Sequence, residues 1–123
     1  MTEITLGYTN VFVSDFDRAL TFYTETLGLP VRMKDEAFGY ASLETKGAIL
    51  AVAKADESQG ELVGRHTGVG LVVDDLDKTY EELAAKGVEF PMVPQKQPWG
   101  GYMALMKDSE GNILYLDQTW EGE

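Results

Sequence analysis

The residues best suited to act on a small molecule are aromatic. Gln97-Pro98-Trp99-Gly100-Gly101 sets a tryptophan in a loop, with a proline that pre-sets the chain ahead of it. The two glycines behind it let a backbone or a ligand approach closely. A ring so placed is either a hydrophobic plug under a hairpin or one wall of a ligand cleft, and local features alone favour the plug. Covalent chemistry has less to draw on. The chain has no cysteine, so it offers no thiol nucleophile, no thiolate metal site and no disulfide. His66 is its only histidine.

The loop leads into a hairpin ending at Gln118. Tyr102 starts one strand, and its face is not fixed by the sequence. Asp108-Ser109-Glu110-Gly111-Asn112 forms the turn, with Gly111 supplying a positive φ and Asp108 and Asn112 bonding back to the backbone. The apolar run Ile113 to Leu116 reads as a strand buried on both faces.

The rest of the chain must position these groups. Leu6 to Val13 reads as a strand, with Tyr8, Asn10 and Phe12 on one face and Val11 and Val13 on the other. Asp15 is an N-cap. Phe16, Ala19, Leu20, Tyr23 and Leu27 then form the apolar stripe of a helix that Gly28 stops. Three short strands follow, Val31 to Lys34, Phe38 to Leu43 and Ala48 to Ala53, with Lys46-Gly47 turning between the last two. Lys54 to Arg65 is polar and reads as a linker. The pattern then restarts. Gly68 to Val73 is a strand, Asp74 or Asp75 caps a helix with Leu76, Tyr80, Leu83 and Ala84 on its stripe, Lys86-Gly87 closes it, and Val88 to Val93 is a strand.

Val13–Gly28 and Val73–Gly87 are an internal repeat, with Val13/Val73, Asp15/Asp75, Asp17/Asp77 and Gly28/Gly87 identical. A strand–helix–three-strand unit occurring twice predicts an α+β fold of two βαβββ modules, 4–54 and 66–119, joined by a linker at 54–65, in one domain. One helix covers only one face of such a sheet. Two modules side by side would make an eight-stranded, cup-shaped mixed sheet with helices outside and room for a small ligand inside. Trp99 then gains weight as a cleft residue.

Composition sets bounds. Ten basic residues against 21 acidic ones give a net charge of −11, which argues against nucleic acid and anionic membrane as partners and would attract a cation. Acidic residues spread along the chain also simply keep a protein in solution. No apolar run approaches the ~20 residues of a membrane span. The first residues lack a signal-peptide pattern, so a cytoplasmic protein is expected.

The repeat and the ending KDSEGNILYLDQ resemble the vicinal oxygen chelate superfamily, which includes glyoxalase I, extradiol dioxygenases, fosfomycin-modifying enzymes and bleomycin-resistance proteins. The resemblance spans essentially the whole chain, and its fold hosts many activities. Enzymes of this superfamily hold a divalent metal through four cup strands. Carried over, those positions fall on Tyr8, Ala51, Gly68 and Tyr115, two without a side-chain donor and two neutral tyrosines. His66 and Asp117, with Asn10 a feeble third, are the residues from which a site could be rebuilt. The metal-free bleomycin-resistance proteins are more similar. They too end in a QPWG loop and a D-x-x-GN turn, here Gln97-Pro98-Trp99-Gly100 and Asp108…Gly111-Asn112. That resemblance implies that Phe38 and Trp99 sandwich a planar ring, with the acidic surface receiving a cationic tail.

The sequence thus leads to a small-molecule binding protein without a cofactor. Its expected ligand is a planar cationic aromatic such as a bleomycin-type antibiotic. Phe38 and Trp99 would stack, Tyr40 and Tyr102 line the cleft, and Tyr8 and Tyr115 occupy the former metal positions. A homodimer is expected, because open sheet edges invite pairing. The alternatives are a lyase, isomerase or dioxygenase using one divalent metal on His66 and Asp117, a metal-free enzyme using Tyr8 or Tyr115 as acid or base, and a purely structural role.

Overall fold

The structure, a computed structural model, describes residues 3–119. The chain divides into two compact units between Val63 and Gly64. Each carries one four-stranded mixed sheet and one principal helix, the α+β arrangement the repeat predicts.

In the first unit β1 (Tyr8–Val13), β2 (Val31–Asp35), β3 (Tyr40–Leu43) and β4 (Ile49–Lys54) stand in the order β1-β4-β3-β2. β1 and β4 are parallel, and the other pairs are antiparallel. Alternation sorts the residues into two faces. Val11, Val13, Ala41, Leu43, Leu50 and Val52 are buried on one face, and Phe16, Ala19 and Tyr23 of the helical segment are buried too. The opposite face carries Tyr8, Asn10, Phe12, Tyr40, Ser42 and Ala51.

The Asp15 side chain accepts from the Arg18 N–H at 3.1 Å and caps α1 (Phe16–Thr21). The helix does not stay α to its end: Phe22–Thr26 is a π-helical turn. The Thr24 hydroxyl bonds the Leu20 carbonyl at 2.7 Å, and the Leu27 N–H reaches back to the Phe22 carbonyl. A side chain that competes for the carbonyl four residues back loosens the α ladder there.

The second unit repeats the plan with β5 (His66–Val73), α2 (Leu76–Ala85), β6 (Met92–Lys96), β7 (Tyr102–Lys107) and β8 (Ile113–Gln118), ordered β5-β8-β7-β6. Asp75, not Asp74, caps α2 through the Lys78 N–H. The Gln118 side chain accepts from the Leu76 N–H and ties the helix start to β8. Leu76 and Leu83 are buried, Tyr80 meets the Phe90 ring edge-on at 4.7 Å, and Ala84 of the expected stripe is exposed.

Three sequence expectations need correction. The strand expected at Val88 to Val93 begins at Met92 and runs through Pro94 to Lys96. Val88 to Pro91 instead connects helix to sheet, with Val88 buried and the Glu89 carbonyl taking the Lys107 N–H. Pro94 fits because β6 is an edge strand, where a missing N–H leaves no neighbour unpaired. The linker contains a 3-10 helix, Glu57–Leu62, opened by a capping box between Asp56 and Gln59. β8 is not buried on both faces: Leu114 and Leu116 are buried, while Ile113, Tyr115 and Asp117 are half-buried on the other side.

The hairpin turn holds the second unit together. Asp108 accepts from the backbone N–H groups of Glu110 and Asn112 and from the Asn112 amide. Asn112 is fully buried, and its Oδ1 accepts from the Gly64 N–H at 2.7 Å and more weakly from that of Arg65. Removing this side chain strands several buried polar groups. Asn112→Ala is expected to cost roughly 3 kcal/mol. The urea midpoint should fall, with faster amide exchange at Gly64 while the first unit's amides keep their protection.

Candidate functional site

Two constrained turns present the sequence-predicted stacking rings. Phe38 stands at the turn between β2 and β3, 81% exposed. Its N–H bonds the Asp35 carboxylate at 3.3 Å, and Gly39 next to it has φ 68°. A Cβ on Gly39 would lie 2.7 Å from the Lys54 Cβ, so this turn requires glycine twice over. Trp99 is 61% exposed in the loop between β6 and β7. The Gln97 N–H bonds the Gly101 carbonyl at 2.7 Å, and the Gly100 N–H bonds the Gln97 carbonyl. Gly101 serves the tryptophan itself: a Cβ there would meet the indole Nε1 at 2.6 Å. The ring folds over the bare Gly101 backbone. Phe38 belongs to the first unit and Trp99 to the second.

The remaining aromatics separate by face. Tyr8 opens the edge strand β1, 60% exposed. Tyr40 is half-buried on β3, paired with Asp35 and Ala53. Tyr115 is half-buried on β8, with His66 against it edge-on, ring centroids 4.8 Å apart. The register pairs Met103 with Asp117, so Asp117, Tyr115, Met103 and Leu105 share one face and Tyr102 points to the other. There its hydroxyl donates to the Asp77 carboxylate of α2 at 2.5 Å, a bond that holds the phenol pKa above its ordinary value. Tyr102, Asp77, Lys96, Gly100, Gln118 and Thr119 line an open pocket of about 500 Å3 on this helix side. Tyr102 therefore does not join Tyr115.

The four positions carried over for a metal fall in matching places of the two modules. Tyr8 and Gly68 each stand five residues before the valine that pairs with the last residue of the inner parallel strand. Ala51 and Tyr115 each stand three before that last residue. The donor set does not fit a catalytic metal. Ala51 and Gly68 bring no donor atom, and neutral phenols are poor ones. Among the described residues no group of three or more His, Cys, Asp or Glu side chains is placed to hold a metal ion. His66 reaches the start of β5, as strand extension requires. Its Nδ1 accepts from the Gly68 N–H at 3.1 Å, across a break in register between His66 and Gly70.

The sequence reading named Asn10 and Asp117 and missed Ser42. Among the described residues Asn10 Oδ1 and Ser42 Oγ are buried without a hydrogen-bond partner, and both flank Ala51, Asn10 from β1 and Ser42 from β3. Asp117 Oδ1 is buried and, among the described residues, unpartnered in the second unit. Only the strand register puts Asn10 and Ser42 beside the same alanine.

Two βαβββ modules with equivalent positions on their faces define a paired-module α+β fold. A family model described as the Glyoxalase/Bleomycin resistance protein/Dioxygenase superfamily matches residues 5–116. The chain belongs to this superfamily. It is 30% identical over 112 residues to a bleomycin resistance protein of Klebsiella pneumoniae, covering 85% of each chain. It is also 30% identical over 133 residues to a Vibrio cholerae protein named as a probable lactoylglutathione lyase, covering 97% of this chain and 94% of the other. Among solved structures it is similar to TnmS3, an antibiotic binding protein from Streptomyces sp. CB03234, with a TM-score of 0.77, 28% identity, and coverage of 98% and 99%.

Burial alone holds the Asp117 carboxyl above the usual carboxylate range. A carboxyl raised on folding contributes its stability in full below the unfolded-state pKa and loses it as pH rises through the folded value. Asp117→Asn should therefore stabilise the protein at neutral pH, by under ~1 kcal/mol because the group is partly exposed. The gain should vanish below the ordinary aspartate pKa, as urea midpoints at the two pH values will read.

Proposed function

We propose that this chain is a metal-free small-molecule binding protein that sequesters a planar cationic aromatic compound, with a bleomycin-type antibiotic as the named candidate. The exposed rings of Phe38 and Trp99 carry the reading. Both are large, both stand mostly in solvent, and both sit on turns whose glycines fix their place. The Trp99 ring, folded over Gly101, loses little freedom when a flat partner stacks on it, and stacking contributes on the order of 1 kcal/mol per ring beyond burial. A net charge of −11 attracts a cation. A bleomycin resistance protein and an antibiotic binding protein among the relatives support the same direction. Titration with metal-free bleomycin should change tryptophan fluorescence saturably. Trp99→Ala and Phe38→Ala should each weaken binding about tenfold, or 1.4 kcal/mol. Tryptophan emission that ignores bleomycin, or a Trp99→Ala variant that binds as tightly as the parent by calorimetry, would remove the reading.

The Vibrio relative favours a second reading, a metal-dependent lyase with His66 and Asp117 among its ligands. Native mass spectrometry after incubation with Zn, Ni, Mn and Fe(II) in turn separates the two. The binding reading expects a homodimer without retained metal. One metal per chain, lost in His66→Ala, would put the lyase in its place.

A further inference from the structure

Among the described residues Asp117 forms no ion pair. Its strand neighbours on the same face are Val72 of β5 and Met103 of β7, both apolar. Its Oδ1 is buried and takes no hydrogen bond among the described residues. A carboxylate so framed is poorly solvated when ionised, and the cost disappears when a donor arrives. Two residues back along β8, roughly 7 Å away, stands Tyr115.

The surroundings of Tyr115 are built to expose an aromatic surface. Gly70, its partner on β5, brings no side chain to cover it. Gly68 takes φ 77° where β5 breaks register, and its N–H holds His66 by Nδ1. The Thr67 hydroxyl fixes the same break by donating to the Ile113 carbonyl while accepting from the Val69 N–H. His66 is thereby set edge-on to the tyrosine. The result is an edge-to-face aromatic pair, its rings 62° apart, on the same strand face as the Asp117 carboxylate.

We infer that Asp117, Tyr115 and His66 form a subsite for a planar cation with N–H donors, of the amidinium or guanidinium class. The carboxylate accepts from the cation's N–H groups, and one ring of the aromatic pair lies along its plane. Charge-assisted hydrogen bonds and cation–π attraction act together at such a position. This rests on the reading of the chain as a binder of flat cationic ligands and adds where the charge is received: at one residue, rather than by the acidic surface as a whole.

Benzamidinium and benzamide test it, being planar, of nearly the same shape, and different in charge. His66 is the only histidine, so its imidazole NMR signals report on the subsite directly. Benzamidinium should move them saturably and bind at least about tenfold more tightly than benzamide, a difference of 1.4 kcal/mol. The preference should collapse in Asp117→Asn, whose remaining spectrum should match the parent. Equal affinity for the two probes, a preference that survives in Asp117→Asn, or signals unmoved by millimolar benzamidinium would overturn the inference. The two proposals fail separately. Bleomycin quenching at Trp99 without a benzamidinium preference loses only the cation subsite. A benzamidinium preference without a bleomycin response removes the Phe38 and Trp99 reading and leaves the cation subsite standing.

Discussion

The second unit depends on one buried amide. Parallel strands cannot be joined by a tight turn, so β5 and β8 must find each other across the chain. Asn112 does the finding. Its Oδ1 collects the N–H groups of Gly64 and Arg65, 48 and 47 residues away, while its own N–H groups are held by Asp108. Beside it the Ile113 N–H bonds the Arg65 carbonyl, so His66 is placed opposite Ile113. That register fixes the start of the β5–β8 pairing and brings His66 to Tyr115, and past the break at Gly68 a second register sets Val72 against Asp117. A buried side chain in a turn thus fixes where one end of a parallel pair begins. It can do so because burial makes each of its hydrogen bonds expensive to leave unmade.

What could be read in the sequence was chemistry that acts over a few residues. Asp15, Asp75, Gly28, Gly87 and the Asp108–Asn112 turn each work through their own backbone, so residue type and spacing were enough. The position of β6 was not legible. Val88 to Val93 has the apolar content of a strand, but Val88 is spent on burial and Glu89 on a bond to Lys107. The real strand, with Pro94, Gln95 and Lys96, is held by pairing with β7 and shows no apolar alternation of its own. Tertiary pairing overrides local pattern most easily at an edge, where one neighbour suffices.

The site divides along the same line. Phe38 and Trp99 were visible because acidic, glycine and proline neighbours mark their turns. The closing of Trp99 onto Gly101 was not, although glycine at that place was the hint. The face of Tyr102 was beyond the sequence. It follows from Met103 pairing with Asp117, and a shift of one residue would have sent Tyr102 to join Tyr115. Ser42 was invisible for the same reason: nothing in Tyr40–Leu43 says that one serine will be buried next to Ala51 with its hydroxyl unpaired.

The two modules agree in their caps and differ on their faces, and the manner of the difference bears on function. At the matching positions the first module carries Tyr8 on the outer strand and Ala51 on the inner. The second carries Gly68 on the outer strand and Tyr115 on the inner. Each module therefore supplies one phenol ring and one place with almost no side chain. A metal centre needs a lone pair from each position, and half of these positions cannot give one. A ring beside a bare stretch of strand gives area and flatness instead. In the second module the bare stretch has a further use. Gly68 adopts a backbone conformation that L side chains rarely adopt, and that conformation holds His66 against the ring. A donor side chain at this position would have to give up the break in β5 that builds the aromatic pair. On this backbone the metal ligand and the aromatic face exclude each other, and the chain carries the residues of the second.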